Sequence, residues 1–220
     1  PKGKTASGVA VKWYEHTHAW CVQVKDENGK WVSCGETEGL YYSEYLPLPE
    51  GTSVFRIANP EGKTTPMWID ELYVYGEGTL PPEVQVWDPP VEKADLLLIV
   101  AHPDDEVLWF GGVLPTYAGE YQMDTQVCMM VPTVPKRRLE LLDCLWTCGV
   151  RDYPVWKKWE DAIDAGVDAD AVIISLPDRL HFAAATKALS KGYHVLLEKP
   201  IGCTWGECLA IKKAQMDAKR

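Results

Sequence analysis

An imidazole and three carboxylates follow directly after an apolar run, at His102, Asp104, Asp105 and Glu106. The run, residues 96–101, is unbroken and predicts a strand that is buried on both faces. Open α/β sheets bind ligands at the carboxyl ends of their strands, so the cluster lies where such a fold places a site. His102 and Asp105 can turn toward one divalent cation, and Asp104 can then accept a proton from metal-bound water. The alternative is that the acidic residues cap the next helix and complement its dipole.

This stretch resembles the PIG-L/LmbE family of zinc-dependent N-acetylglucosaminyl deacetylases, whose signature is the same strand followed by Ala-His-Pro-Asp-Asp-Glu. The resemblance covers residues 95–156. It implies that His102 and Asp105 bind Zn²⁺ and that Asp104 is the catalytic general base. The substrate it implies is an N-acetylated amino sugar or another glycan.

A second match to that family begins at Arg137, which is followed by Glu140 at a spacing of three residues. The resemblance implies that Arg137 contacts the substrate, whereas an ion pair on a helix surface is the alternative explanation of the spacing. The family takes a third zinc ligand, a histidine, from farther downstream. The later histidines here are His181 and His194, neither of which lies in a family-like motif, and His181 is the candidate closer to the expected site.

The last quarter of the chain has a different pattern. A predicted strand at 170–176 runs into Pro177 and His181, and a further strand ends in Glu198 and Lys199. This order resembles the Gfo/Idh/MocA oxidoreductases over about residues 157–217. The resemblance implies NAD(P) as cofactor, with Pro177, His181, Glu198 and Lys199 lining the cofactor and substrate cleft. Without the resemblance, Glu198 and Lys199 would be an ordinary surface pair.

The glycine-rich turn that receives the pyrophosphate in dinucleotide-binding folds is missing from this sequence. Its position is taken by the segment 102–106, whose three carboxylates would repel a pyrophosphate. We therefore do not expect this sequence to bind a dinucleotide.

Strand and helix patterns alternate from residue 95 onward and predict an α/β doubly wound, Rossmann-like parallel sheet. The predicted helices cover 106–118, 136–148, 159–165, 179–190 and 204–218, and the predicted strands cover 96–101, 125–131, 152–156, 170–176 and 194–198. Because the fourth strand of such folds lies beside the first, we expect strand 170–176 to pair in parallel with strand 96–101.

Before residue 79 the sequence has short segments rich in Val, Trp and Tyr between turn residues, which predicts a small antiparallel β-sandwich. We place this domain at 1–78, a proline-rich linker at 79–94 and the α/β domain at 95–220, with a deacetylase-like part at 95–156 and an oxidoreductase-like part at 157–220. Aromatic side chains of the sandwich could stack on sugar rings or form its core: Trp13, Trp20, Trp31, Trp68, Tyr41, Tyr42 and Tyr45.

The formal net charge of −10 argues against nucleic acid or an anionic membrane as a partner, and no apolar stretch is long enough to span a bilayer. The sequence carries no signal peptide, which leaves the compartment open between bacterial cytoplasm and secretion. The main functional hypothesis is an impaired or incomplete metal-dependent deacetylase. The alternatives are an NAD(P)-dependent oxidoreductase fragment and a glycan-binding protein without catalysis, so the sequence leaves open whether the chain is an enzyme.

Overall fold

The computed structural model describes residues 3–131, 134–164 and 168–218. The chain divides into two compact units, Pro1–Trp87 and Asp88–Arg220. Each unit has its own sheets, and the second contains the candidate deacetylase and oxidoreductase residues named above. Within the predicted linker 79–94, Val84 and Trp87 are buried and the first strand of the second unit already begins.

The first unit consists of two three-stranded antiparallel sheets. One sheet has the order β4-β1-β6 and the other the order β3-β2-β5. The strands are β1 (Ala6–Trp13), β2 (Trp20–Lys25), β3 (Trp31–Thr37), β4 (Ser43–Pro47), β5 (Phe55–Ala58) and β6 (Ile69–Gly76). The predicted antiparallel architecture is confirmed.

The core of this unit lies between the two sheets. Trp13 from β1 and Trp20 from β2 are fully buried there, together with Val9, Val11 and Val22. A buried carboxylate sits beside the two indoles, since Glu44 accepts hydrogen bonds from Trp13 Nε1 at 3.2 Å and from Trp20 Nε1 at 2.7 Å. Trp13 and Trp20 are therefore core residues, as one of the two alternatives predicted.

The second unit is built on a five-stranded parallel sheet with the order β11-β10-β7-β8-β9. Its strands are β7 (Lys93–Val100), β8 (Thr125–Met129), β9 (Val155–Trp156), β10 (Asp168–Ser175) and β11 (His194–Leu197). β10 pairs in parallel with β7, with Ile174 opposite Ile99 and Ser175 opposite Val100. The predicted doubly wound, Rossmann-like fold and the pairing across its centre are confirmed.

The helices of this unit are α1 (Asp105–Leu108), α2 (Pro135–Thr147), α3 (Trp159–Asp164), α4 (Asp178–Ser190) and α5 (Trp205–Ala218). Residue 165, the predicted end of the third helix, lies outside the described residues. The continuous helix predicted at 106–118 is wrong, because α1 ends after one turn and a separate, wider helical turn covers Pro115–Glu120. The glycine pair at 111–112 and the proline at 115, which lacks an amide hydrogen, explain the break.

The strand predicted at 152–156 is shorter than expected. Only Val155 and Trp156 join β8, while Asp152 forms an isolated bridge with Asp88. Just before this segment, two backbones approach each other closely. A Cβ at Gly149 would lie 2.3 Å from Gly119 Cα. Gly149 has a φ of +92°, a conformation that favours glycine, and it ends α2 against the turn Pro115–Glu120.

On its outer side β11 has no neighbouring strand in the described sheet, and it borders a groove of about 890 Å³. Large apolar side chains are exposed along the groove: Leu196, Ile201, Trp205 and Leu209. Across residues 3–131, 134–164 and 168–218, no helix is both long and apolar enough to cross a bilayer.

Candidate functional site

A crevice of about 220 Å³ opens at the carboxyl ends of three parallel strands. The chain enters the sheet at β7, proceeds to β8 and β9 on one side, and returns to β10 and β11 on the other side. The crevice therefore lies at the switch point where such folds bind ligands. Its lining comes from the segments after β7, β10 and β11: Ala101, His102, Asp105, Trp109, Ser175, Leu176, Pro177, Glu198 and Lys199.

The wall that follows β7 satisfies its own backbone donors. The amide of His102 donates to Asp105 Oδ2 at 3.0 Å, and the amide of Asp104 donates to Glu106 Oε2 at 2.9 Å. Glu106 is 1% exposed, and its pKa is raised by burial, with smaller contributions from the charges of Asp104 and Asp105. Asp104 has a φ of +133°, which is rare for a residue with a side chain. The carboxylates of Asp105 and Glu106 thus bind backbone amides of this turn, whereas Asp104, the residue before α1, makes no side-chain hydrogen bond that caps the helix, so the predicted helix capping is not observed.

Arg137 from α2 connects to this wall. Its guanidinium donates to Asp104 Oδ2 at 2.7 Å and also to the carbonyl oxygen of Pro103. The surface pair within α2 is formed by Lys136 and Glu140, at 3.9 Å. Arg137 therefore neutralises Asp104 and supports its unusual backbone, and a contact between Arg137 and a substrate stays a prediction.

The residues proposed as zinc ligands do not assemble a metal centre. His102 Nδ1 lies 3.8 Å from Asp105 Oδ2, and that oxygen already accepts the His102 amide. Among the described residues, no three His, Cys, Asp or Glu side chains are grouped so that they could hold a metal ion. His181 is buried with its ring nitrogens at backbone carbonyls, and His194 begins β11, at the opposite end of that strand from the crevice. The sequence therefore supplies a pair of candidate ligands and no third.

The opposite wall is held together by His181. Its Nδ1 lies 2.6 Å from the carbonyl oxygen of Pro200, and its Nε2 lies 2.7 Å from the carbonyl oxygen of Leu176. The first carbonyl belongs to the segment after β11 and the second to the segment after β10. The imidazole of His181 therefore joins two strand ends from behind, and it is not among the residues that line the crevice.

Lys199 is the cation of the crevice. Its Nζ lies 5.8 Å from the ring centroid of Trp109, within the range of a cation–π contact. Its amide donates to Glu198 Oε2 at 2.6 Å, which turns that carboxylate back onto the chain. Trp109 is 59% exposed and was not predicted as a site residue. The feature of the sequence that could have identified Trp109 is its position as a large aromatic residue shortly after the motif 102–106.

The two walls differ in how well they suit a dinucleotide. Pro177, Glu198 and Lys199 line the wall that the second resemblance assigns to the cofactor and the substrate. The wall after β7 is less well suited to a pyrophosphate, since the amides of His102 and Asp104 already donate to side-chain carboxylates. Helix α1 is also only one turn long, so its dipole contributes little to anion binding.

Comparison with known proteins gives a match at the C-terminal side of the chain. Residues 135–220 match the Gfo/Idh/MocA family model, described as an oxidoreductase family with an NAD-binding Rossmann fold. Inositol 2-dehydrogenase 1 of Saccharopolyspora erythraea is 48% identical over 48 residues, which is 22% of this chain and 14% of that protein. An uncharacterized oxidoreductase of Schizosaccharomyces pombe is 43% identical over 47 residues, or 21% of this chain and 13% of that protein. The chain thus spans about a seventh of the length of these curated relatives.

Two of the solved structures similar to this chain are described as dehydrogenases. The WlbA dehydrogenase from Chromobacterium violaceum, in complex with NADH and UDP-GlcNAcA, has 24% identity and a TM-score of 0.43, over 62% of this chain and 36% of that one. A putative myo-inositol dehydrogenase from Sinorhizobium meliloti has 23% identity and a TM-score of 0.39, over 56% of this chain and 33% of that one.

The main functional hypothesis drawn from the sequence is therefore wrong. The matched family is an oxidoreductase family, and the match begins at residue 135, inside the part predicted to be deacetylase-like. The roles assigned to Asp104, His102 and Asp105 depended on that hypothesis and stay untested sequence predictions. The alternative, an oxidoreductase-type unit with an NAD-binding Rossmann fold, is the interpretation that the comparisons support.

Proposed function

We propose that the unit 88–220 acts as the nucleotide-binding part of an NAD(P)-linked oxidoreductase whose substrate is a sugar or a cyclic polyol. The observation that carries this proposal is the family match over 135–220, because it includes both strand ends that form the nicotinamide-side wall. The identity with an inositol dehydrogenase supports the substrate class.

A bound nicotinamide would supply hydride-transfer chemistry, and the residues of this chain would position it. Lys199 brings a positive charge to the crevice, and a cation there stabilises negative charge on an oxygen of a substrate. His181 acts through the backbone, because its contacts to Leu176 and Pro200 fix the segment that carries Lys199. His181 is thus a positioning residue, and Lys199 is the residue that faces the ligand.

The wall after β7 limits the affinity of the crevice for a dinucleotide. With two amides occupied by carboxylates, a dinucleotide has to compete with Asp105 and Glu106 for its phosphate contacts. We expect NADH to bind more weakly than it would to a glycine-rich turn, and we expect affinity to rise when these carboxylates become amides.

The direct test is a titration of the full chain with NADH, followed by quenching of tryptophan fluorescence. Trp109 lies in the crevice beside Lys199 and provides the signal. Saturable quenching is expected for the parent protein, with binding about tenfold weaker in Lys199→Ala because a charge-assisted contact is lost. The double variant Asp105→Asn, Glu106→Gln should bind more tightly.

Lys191→Ala is the matched control, because Lys191 is an exposed lysine after α4 that does not line the crevice. Its affinity for NADH should equal that of the parent protein. Quenching that fails to saturate at millimolar NADH in both the parent and the double variant would refute the proposal. So would an equal loss of affinity in Lys199→Ala and Lys191→Ala.

A further inference from the structure

Three tyrosine rings gather on the outer face of the sheet β4-β1-β6 in the first unit. Val9, Val11 and Trp13 of β1 point into the core, so the alternate residues Gly8 and Ala10 point to the other face. On that face Ala10 lies between Tyr45 of β4 and Tyr73 of β6, and Gly8 lies opposite Tyr75 of β6. We call Tyr45, Tyr73 and Tyr75 the tyrosine cluster.

The small residues of β1 make room for these rings. A Cβ at Gly8 would lie 2.2 Å from Tyr45 Oη and 2.4 Å from Tyr45 Cε2, so the ring of Tyr45 rests directly on the glycine backbone. Ala10 is 7% exposed although it faces away from the core of the unit. The three rings therefore lie close to the backbone of the sheet, because the side chains of β1 beneath them are too small to hold them away from it.

The three rings are neighbours. The centroids of Tyr45 and Tyr75 are 6.3 Å apart, and those of Tyr73 and Tyr75 are 6.4 Å apart with an interplanar angle of 22°. Tyr73 is 42% exposed, and Tyr45 and Tyr75 are partly exposed. The Tyr45 ring is tilted by 60° to the Tyr75 ring, so the three rings form a partly exposed aromatic surface with two orientations.

Polar groups border this surface at one end. Lys12 Nζ lies 3.5 Å from Glu71 Oε2, and the hydroxyl of Tyr73 donates to the same carboxylate at 2.9 Å. The opposite charges of Lys12 and Glu71 compensate each other at this border, and the negative charge of Glu83 acts on Tyr75, so the surroundings disfavour an acidic ligand. An aromatic surface with such a polar border matches the amphipathic surface of a sugar ring, which has apolar C–H faces and a rim of hydroxyls.

We propose that the tyrosine cluster binds a neutral oligosaccharide of β-linked glucose-type rings, which stack on Tyr45, Tyr73 and Tyr75 and hydrogen-bond at Lys12 and Glu71. Rings of this type have equatorial hydroxyls, which leaves both faces apolar enough to lie on an aromatic surface. A neutral ligand fits because the border carries compensated charges and the whole chain is acidic, with a formal net charge of −10.

Three tryptophans of the unit are less suited to this task. Trp13 and Trp20 are fully buried, and their indole N–H groups are bonded to Glu44. The ring of Trp31 is in contact with two cations, with Lys25 Nζ at 5.4 Å and Arg56 Cζ at 4.7 Å from its centroid. Of the aromatic residues predicted from the sequence to stack on sugars, Tyr45 alone belongs to the cluster.

The test is isothermal titration of the full chain with cellohexaose, without nucleotide, so that the result is independent of the proposed dehydrogenase function. We expect saturable binding, weakened about tenfold in Tyr73→Ala and in Tyr75→Ala because each removes one stacking surface. Gly8→Ala should weaken binding as well, since the new methyl group displaces the Tyr45 ring, the end of a flexible side chain, without removing any aromatic group.

Tyr121→Ala is the matched control, because Tyr121 is a 62% exposed tyrosine of the second unit with its own ring partner, Tyr117. It should leave cellohexaose affinity unchanged, and circular dichroism should show that every variant keeps its fold. The proposal is overturned if the parent protein gives no binding heat at millimolar cellohexaose, or if Tyr121→Ala loses as much affinity as Tyr73→Ala. Preferential binding of oligogalacturonate, an acidic sugar chain, would also overturn it.

Discussion

His181 Nδ1 lies 2.6 Å from the carbonyl oxygen of Pro200, and this contact joins helix α4 to the segment that follows β11. The second ring nitrogen reaches the carbonyl oxygen of Leu176 at 2.7 Å, so both ends of the ring meet acceptors. Because the side chain is 1% exposed, water is not at hand to replace either contact.

Replacing His181 by alanine should destabilise the second unit by about 2–4 kcal/mol, since it removes the ring from between two backbone carbonyl oxygens and opens a buried cavity. His181→Gln, which retains one amide donor group, should lose less. Urea unfolding at neutral pH measures the difference. Fluorescence titration with NADH in the same variants should show weaker binding, because the segment bearing Lys199 loses its support.

A neutral effect of His181→Ala on both unfolding and NADH affinity would contradict the positioning role. His194→Ala serves as the control, because His194 is exposed and begins β11 at the end of the strand away from the crevice. It should change neither quantity by a measurable amount.

The order of the parallel sheet could be predicted because its strands carry unmistakable apolar runs. Residues 96–101 and 170–176 are largely apolar, which identifies both as buried strands. The strand order of doubly wound folds then places these two strands side by side. The helix predicted at 106–118 is wrong because the apolar pattern continues across Gly111, Gly112 and Pro115. The backbone preferences of these three residues outweigh the pattern and interrupt the helix.

The site was harder to predict because each of its polar side chains can form hydrogen bonds with several different groups. His102, Asp104 and Asp105 form a compact pattern in sequence, but their hydrogen bonds go to one another's amides and to Arg137. The amino-acid sequence does not reveal which donor a carboxylate binds in the folded protein. The tyrosine cluster was missed because it depends on the register between β1 and β6, which is a property of the folded sheet.

Asp152 should make stability depend on pH. Burial, together with the nearby charges of Asp124 and Asp88, raises the pKa of its carboxyl to about 6 from 3.8. The folded state retains this proton to higher pH than the unfolded state. The contribution of Asp152 to the free energy of unfolding is therefore most favourable below about pH 4, and it is lost as the pH rises through about 6. Asp152→Asn should therefore stabilise the protein at pH 7 by about 1–3 kcal/mol and flatten this dependence.

Thermal unfolding at a series of pH values between 4 and 8 checks this expectation for Asp152. The asparagine still offers a carbonyl oxygen to the Thr125 amide, which donates to Asp152 at 3.2 Å. Asp170→Asn, a change at an exposed carboxylate of the same sheet, provides the comparison and should leave the profile of the parent protein unchanged. A parallel shift of both variants would argue for general charge reduction instead.

Glu44 should be essential to the first unit. It is 6% exposed and accepts from both buried indoles, so Glu44→Ala leaves two N–H donors without a partner. The expected loss is about 3 kcal/mol or more, and Glu44→Gln, which keeps one acceptor oxygen, should lose less. Tryptophan emission during urea unfolding reports the change directly, with the exposed Glu36→Ala as the control that should stay within about 0.5 kcal/mol of the parent.

Gly149→Ala should destabilise the second unit by about 2–4 kcal/mol. The residue has a φ of +92°, and its Cβ would meet the backbone of Gly119 at 2.3 Å, where no side-chain rotation relieves the overlap. Gly112→Ala is the matched control, since a Cβ at that position meets nothing within 4 Å. Calorimetry should show a lower melting temperature for the first variant and a small change for the second.

The contact between Gly119 and Gly149 has a consequence for how the crevice can open. Helix α2 is attached near its start through Arg137 to Asp104, and just beyond its end through Gly149 to Gly119. Both attachments reach the same stretch of chain, the one that contains Trp109 and forms the wall after β7. An outward movement of that wall must therefore either break these contacts or carry α2 with it. Rotation of the Trp109 indole over Lys199 breaks neither contact, and we expect it to be the smallest movement that widens the entrance.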